Sequence, residues 1–491
     1  MSAPTYEEAL RALQDRGRFG IRLGLGRTVA LLRALGDPQR TVRGALVAGT
    51  NGKGSVLALA GSALAAAGYR VGQTPKPHLV SYRERLQVNG RLVDPDAFAR
   101  LVGEVLAAAD QIASRHGQPT EFEVLTAVAF RWFADEQVDL ALVEVGLGGR
   151  LDATHAWDGG VVAITNIELD HTDLLGATRT AIAREKAAII VRGDLAVTGA
   201  SGEGLPVIRR RARRMGVPLV EVETPTVLGW DRDGIDVALG RLGTTRIGLR
   251  GRHQAANAAV ADALLDALAT AGIARVDDEA RRRGYATVRW PGRLDLIEVP
   301  ATGDRGAREV LLDGAHNPAG AAVLARALDD LRSTLLGGGE PEPPPITLIL
   351  GTMADKDVAG VLSALAASPV ARAARVLCTE VALPRALAAT SLARGWAAVA
   401  PGSRPEVATP LERALEQALR DAPGPIVVAG SLYLVGAVRA LLVDDPLLRD
   451  PPLGEPLPRD PLAASVATGV RPGQPGAGPV PAPVIRGAPA P

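Results

Sequence analysis

The sequence predicts an α/β protein: a parallel-sheet domain carrying a phosphate-binding loop, followed by a smaller, Rossmann-like α/β domain. Three observations lead there. Short apolar runs alternate with amphipathic or Ala/Leu-rich segments through most of the 491 residues, as expected for parallel strands covered by helices. The stretch VAGTNGKGSV, residues 47–56, sets a glycine turn and a lysine between an apolar run and a helical segment. A second alternating series begins near residue 294, which divides the chain into 1–293, 294–445 and a Pro/Gly-rich tail, 446–491. That tail lacks periodicity, and its composition predicts disorder and dispensability.

The first predicted strand, residues 45–48, runs into the glycine turn, and the helix after it begins at Lys53. Free backbone N–H groups and the helix dipole favour an anion at such a turn. The pattern is not the common G-x-x-x-x-G-K-[ST], in which the first Gly would fall on Val47 and a hydroxyl would stand where Gly54 does. The second strand, 140–145, carries Glu144, and the third, 161–166, leads to Asp170 and His171. Open parallel sheets bind at the carboxyl ends of their strands, so Glu144 and His171 are candidate metal ligands facing the phosphate loop. The plainer readings are that Glu144 caps its turn and that His171 bonds backbone. Thr120 and Glu123 are spaced as a helix capping box, which also has a purely structural reading. Shorter alternating runs over 217–250 predict hairpins, and HQAAN, residues 253–257, opens a long helix. The later strands are 310–313, 346–350, 375–378 and 426–429, with GGGEPEPPP, 337–345, as a loop insertion.

Composition narrows the function. A formal charge of +1 gives no reason to expect nucleic acid or an acidic membrane surface as partner. No apolar run reaches about 18 residues and the start lacks a signal-peptide plan, so a cytoplasmic location is expected. The single cysteine, Cys378, excludes an internal disulfide or a cysteine-cluster metal site and reads as core. Only four of the 55 basic residues are lysines: Lys53, Lys76, Lys186 and Lys356. Where arginine supplies nearly every surface cation, a remaining lysine is a candidate for work needing a compact charge or a titratable amine.

The series GTNGKGS, PHLVSYRERLQVNG, EFEVLT, EVGLGGRLDAT, LDHTDLLG, REKAAI, HQAAN, WPGRLD, LLDGAHNP, DKD and GSLYLVG resembles the folylpolyglutamate synthase and dihydrofolate synthase family of the Mur ligase superfamily. The resemblance runs from about Tyr6 to Leu442. It implies a P-loop-containing, Mur-ligase-like ATPase domain with a glutamate-ligase domain after it. It also implies ATP-dependent joining of L-glutamate to dihydropteroate, to reduced folates, or to both, through an acyl phosphate. By matching positions, Asn51, Gly52, Lys53, Gly54 and Ser55 hold ATP phosphates, and Asn257, Arg293 and Asp313 contact the nucleotide. Glu144, His171 and Ser55 bind magnesium, and Lys186, as a carbamate, serves a second ion. His316 supports the chemistry, while Thr120, Phe122, Glu123, Leu151, Asp152 and Ala153 match a pterin-side pocket. The family suggests a monomer with small-molecule substrates, and no nucleic acid or membrane partner.

Two departures stand out. Lys76 occupies the place of a serine that ligates magnesium in the family, and His155 replaces the Asn of DATN. A protonated lysine cannot ligate magnesium. Either Thr74 substitutes, or water does, or Lys76 contacts phosphate or substrate directly. Two rival readings are a Mur-type ligase of cell-wall synthesis and a P-loop kinase or NTPase. The first calls for a separate amino-terminal nucleotide-sugar domain, whereas about 43 residues precede the phosphate loop; the second has no use for Asp313 and His316.

Overall fold

The computed structural model describes residues 4–17, 20, 22–301, 306–334, 344–443, 445, 450 and 451. Eight strands form the first sheet, six of them parallel, in the order Val71–Thr74, Leu140–Glu144, Gly44–Ala48, Gly160–Ile164, Leu195–Thr198 and Leu219–Glu221. Two short antiparallel strands, Gln87–Val88 and Arg91–Leu92, extend the edge beside Val71–Thr74. The central strand Gly44–Ala48 is buried throughout, and its alternation sorts two cores. Leu46 and Ala48 face the helices Pro95–His116 and Glu121–Asp135, while Ala45 and Val47 face Lys53–Ala66 and Gln254–Thr270. Each fully buried Leu or Val side chain contributes about 1.5–3 kcal/mol by leaving water.

A three-stranded antiparallel sheet, Val227–Asp231, Gly234–Ala238 and Thr244–Ile247, realises the hairpins expected over 217–250. The Leu219–Glu221 segment instead joins the parallel sheet, because its partner Leu195–Thr198 lies more than 20 residues back and no local pattern announces it. The third sheet has six strands, ordered Asp295–Val299, Arg308–Asp313, Ile426–Ala429, Thr347–Leu350, Arg375–Cys378 and Glu406–Val407. All its pairings are parallel except that of Asp295–Val299. Cys378 is fully buried in this lobe, where burial pushes its thiol up to about 12. No helix of the described residues is long and apolar enough to cross a membrane.

Residues 337–343 of the loop expected at 337–345, and residues 446–449 and 452–491 of the expected tail, lie outside the described residues. Asp450, inside the segment read as a dispensable tail, is engaged. Its carboxylate accepts hydrogen bonds from Tyr6 Oη, from Ser81 Oγ at 2.6 Å and from the Tyr82 backbone N–H at 3.0 Å. Burial and this bond together push the Tyr6 hydroxyl up to about 12. The end of the second lobe is thereby tied to the capped turn Tyr82–Arg85 of the first. A hydrogen bond to a charged group contributes about 1.5–3 kcal/mol. Ending the chain after residue 445 is therefore expected to lower the first calorimetric melting transition by a few degrees, as is Asp450→Asn. Ending it after residue 451 is expected to leave that transition unchanged.

Candidate active site

The candidate residues named from the sequence, all but Thr74, line one cavity of about 1010 Å³, between the carboxyl ends of the first sheet and of the third; Thr74 is buried at the end of its strand. The glycine turn forms its floor. Gly52 has φ +84°, and a Cβ there would lie 2.3 Å from Asn257 Oδ1. A Cβ on Gly49 would meet Thr165 Oγ1 at 1.8 Å, so the turn closes against both neighbours only with glycine. Thr165 Oγ1 donates to Asn51 O at 2.6 Å, and Asn51 N–H donates to Asn166 Oδ1 at 2.9 Å. Lys53 Nζ folds back to donate to Gly49 O and Thr50 O, each at 3.1 Å. Ser55, in the first turn of the helix, is buried.

Glu144 ends the neighbouring strand, in register with Val47, and is buried. Its Oε2 accepts the Lys76 backbone N–H at 3.0 Å, while Oε1 has Lys53 Nζ at 3.9 Å. Burial pushes this carboxyl up, and Lys53 and Lys76 oppose that push. Lys76 Nζ donates to Glu144 O at 2.7 Å and lies 4.5 Å above the Phe122 ring. Desolvation brings its amine down to about 8, against the pull of Asp152 and Glu144. Lys76 thus turns towards Phe122 and Asp152, the side expected to take the acid substrate.

On the other flank, His171 sits at φ +49°, at the start of the short helix Thr172–Leu175. Burial lowers its imidazole. Lys186, on the helix Arg179–Ala187, is buried, and its Nζ donates to Gly49 O at 2.8 Å. Desolvation first, and Lys53 second, bring this amine down to about 7, where a substantial fraction is the free base. Among the described residues no three His, Cys, Asp or Glu side chains cluster as a metal site. The donor chemistry fits a cation in part: among the described residues the buried Glu144 carboxyl has at Oε1 only Lys53, 3.9 Å away, and phosphate oxygens would complete the shell.

The second lobe supplies the roof. Asp313 ends its strand and accepts the Leu294 and Ala315 N–H groups, each at 2.9 Å. Arg293 lies beside it, with Nη1 2.3 Å from where a Cβ on Gly314 would stand. Asn257 donates to Gln254 Oε1 at 2.8 Å and backs the glycine turn. His316 Nδ1 pairs with Gly314 O at 2.8 Å, and burial brings its imidazole down to about 4.

The far end of the cavity is built on the helix Glu121–Asp135. Thr120 and Glu123 form the expected capping box, and Glu123 also takes Arg27 Nε on both oxygens at 3.1 Å. The Glu123 carboxylate is thus committed to structure, holding the helix start that presents Phe122. Asp152 is likewise committed, accepting from Leu147 N–H at 2.8 Å and Thr154 N–H at 3.0 Å. Leu151 and Ala153 flank it in the cavity wall.

All four lysines of the chain line this cavity. That accounts for their survival as lysine, and it points to a group the motif reading passed over. Asp170 Oδ1 stands 3.1 Å from Lys356 Nζ, and its Oδ2 accepts from Asn317 Nδ2 at 3.0 Å. Burial pushes the Asp170 carboxyl up, but His171, Lys356, His316 and the Asn317 bond hold it below the usual range. Lysine scarcity and the DKD motif both marked Lys356, and Asp170 stood in the LDHTDLLG motif, but nothing along the chain paired the two.

The arrangement can hold a polyphosphate between cations from two lobes and set an acid beside it. Comparison with known proteins agrees. The family profile "dihydrofolate synthetase, C-terminal domain" matches residues 297–442. The chain is 37% identical over 336 residues to the dihydrofolate synthase/folylpolyglutamate synthase of Bacillus subtilis, covering 66% of this chain and 76% of that one. Mycobacterium tuberculosis folylpolyglutamate synthase complexed with ADP superposes with a TM-score of 0.77 at 32% identity, covering 90% of this chain and 99% of that chain. Escherichia coli FolC in complex with DHPP and ADP gives 0.75 at 30% identity, covering 89% and 98%. With a relative of that identity matched over most of its length, and a cavity that unites every motif, the chain belongs to the dihydrofolate synthase/folylpolyglutamate synthase family.

Proposed function

We propose that this protein is an ATP-dependent ligase joining L-glutamate to dihydropteroate, to the γ-carboxylate of reduced folates, or to both. The observation that carries this reading is the convergence of the glycine turn, Lys53 and Glu144 with Arg293, Asp313 and His316 on one cavity. A kinase or NTPase would leave the second lobe's groups without work. We take residues 1–293 as the ATP-binding domain and 294–445 as the ligase domain, acting as a monomer in the cytoplasm.

A carboxylate is a poor electrophile until one oxygen leaves as phosphate, and moving a phosphoryl onto an anion requires positive charge around both. Lys53, with three donors, moves from Gly49 O and Thr50 O onto the ATP phosphates, joined by the N–H groups of residues 52–55, while Asn51, its own N–H held by Asn166, shapes the turn. Asn257, Arg293 and Asp313 hold the nucleotide. The acid lies along Phe122, Leu151, Asp152 and Ala153, with Thr120 and Glu123 fixing that wall and Lys76 near its carboxylate. A carboxylate oxygen bonds to the γ-phosphorus and ADP leaves. The deprotonated glutamate amine then attacks the acyl carbon, the C–O bond to phosphate breaks, and the proton lost from nitrogen ends on the departing phosphate, with His316 beside the incoming amine. Magnesium, when bound, would neutralise phosphate charge; Glu144, His171 and Ser55 would hold one ion and a carbamate on Lys186 a second.

The deciding assay offers ATP, magnesium and labelled glutamate with dihydropteroate and with tetrahydrofolate in separate reactions. Label incorporated with stoichiometric ADP supports the reading; ATP hydrolysis without amide in either reaction sinks it. Lys53→Ala is expected to lower ATP turnover by about 100-fold or more. Lys186→Arg keeps the charge yet is expected to be almost inactive and to lose a carbamate resonance after 13C-bicarbonate labelling; wild-type activity would reject the carbamate. Lys76→Met is expected to raise KM for the acid by about tenfold, leaving ADP affinity unchanged in calorimetry.

A further inference from the structure

One carboxylate gathers groups from two separate loops of the second lobe. Asp170 stands on the segment leaving the strand Gly160–Ile164, with its side chain 11% exposed. Lys356 comes from the loop after Thr347–Leu350, and His316 and Asn317 come from the turn between Arg308–Asp313 and the helix Pro318–Leu331. These two loops follow strands separated in the sheet by Ile426–Ala429. They converge on Asp170: Lys356 Nζ lies 3.1 Å from Oδ1, Asn317 Nδ2 donates to Oδ2 at 3.0 Å, and His316 Nε2 is 3.8 Å from Oδ2. The His171 N–H also donates to Oδ1 at 2.9 Å, and Asn317 Nδ2 reaches Asn51 Oδ1, in the glycine turn, at 3.1 Å.

Other ties between the lobes lie away from the chemistry. Arg252 pairs with Asp330 at 2.6 and 2.9 Å, Trp230 Nε1 donates to Asp330 O at 3.0 Å, and Gly436 packs so closely on Leu79 that a Cβ would stand 1.9 Å from its carbonyl oxygen. None of these residues lines the cavity, whereas Asp170, Asn51, His316 and Lys356 all do. The outer ties join the lobes, and the inner one sets how far the roof's cations stand from the phosphate loop.

We propose that Asp170 is a positioning residue: it holds Lys356 and His316 of the second lobe in place over the glycine turn and so sets the geometry of the closed cleft. Its oxygens are filled by Lys356, Asn317 and the His171 N–H, which is the environment of a structural anchor and not of an open metal ligand. Its removal leaves the phosphate loop intact but lets the roof drift. Misplacing reacting groups by about 1 Å lowers a rate on the order of 100-fold. The kinetic part rests on the ligase reading; the geometric part does not.

The test compares Asp170→Asn, Lys356→Met, the double variant and Asp170→Glu. Measurements are single-turnover amide formation, ADP affinity by calorimetry, and small-angle scattering of the ligand-free protein. Asp170→Asn is expected to slow turnover about 30–100-fold with ADP affinity within about threefold. The double variant is expected to be no slower than the slower single variant, because both break one tie. Asp170→Glu is expected to recover part of the rate, and Asp170→Asn to enlarge the radius of gyration. Multiplicative losses in the double variant, or wild-type turnover with unchanged scattering in Asp170→Asn, would overturn the proposal. Should Asp170→Asn melt below the assay temperature, Lys356→Met carries the same rate and scattering comparison. If wild-type protein makes no amide, the ligase reading fails while scattering still decides the role of Asp170.

Discussion

The burial of Glu144 between two lysines is the constraint on which the cavity depends. A carboxylate with 3% exposure is tolerable only where cations and N–H groups compensate its lost hydration. Lys53, 3.9 Å away on the adjacent strand's turn, and Lys76, through its backbone N–H, provide that compensation. The parallel register pairing Val47 with Glu144 makes the apposition unavoidable once the two strands pair. Desolvation then has opposite consequences for the two signs of charge. It pushes Glu144 up and brings Lys76 and Lys186 down, so burial favours the uncharged form of all three groups and each depends on its neighbours to carry its charge.

The second lobe completes this field from above. Arg293 and Asp313 meet where the chain crosses between the lobes, tied by the Leu294 N–H and by the Gly314 N–H donating to Gly292 O at 2.9 Å. Lys356, His316 and Asn317 descend onto Asp170. The cleft is thus lined by cations on both walls, the requirement for moving a phosphoryl group between two anions.

Much of this was legible in the sequence, but unevenly. Alternating apolar runs marked the central strands, because a buried parallel strand is a continuous apolar stretch. The strands Val71–Thr74 and Leu195–Thr198 passed unmarked; in the first, Gly72 and Gln73 break the apolar run. Thr120 and Glu123 illustrate a different limit. Their spacing announced a capping box, and the structure shows Glu123 held by Arg27 from a helix almost 100 residues earlier, a partner no local pattern reveals.

Residue type and spacing by themselves determined the α/β class, the phosphate turn, the candidate ligands and the family, because those depend on local backbone chemistry and on motifs contiguous in the chain. The gathering of all four lysines into one cavity, the orientation of Lys76 towards Phe122, the engagement of Asp450 and the anchoring of Lys356 by Asp170 were decided by tertiary structure alone. Each joins groups dozens to hundreds of residues apart, and electrostatic interaction depends on separation in space, about which order along the chain is silent.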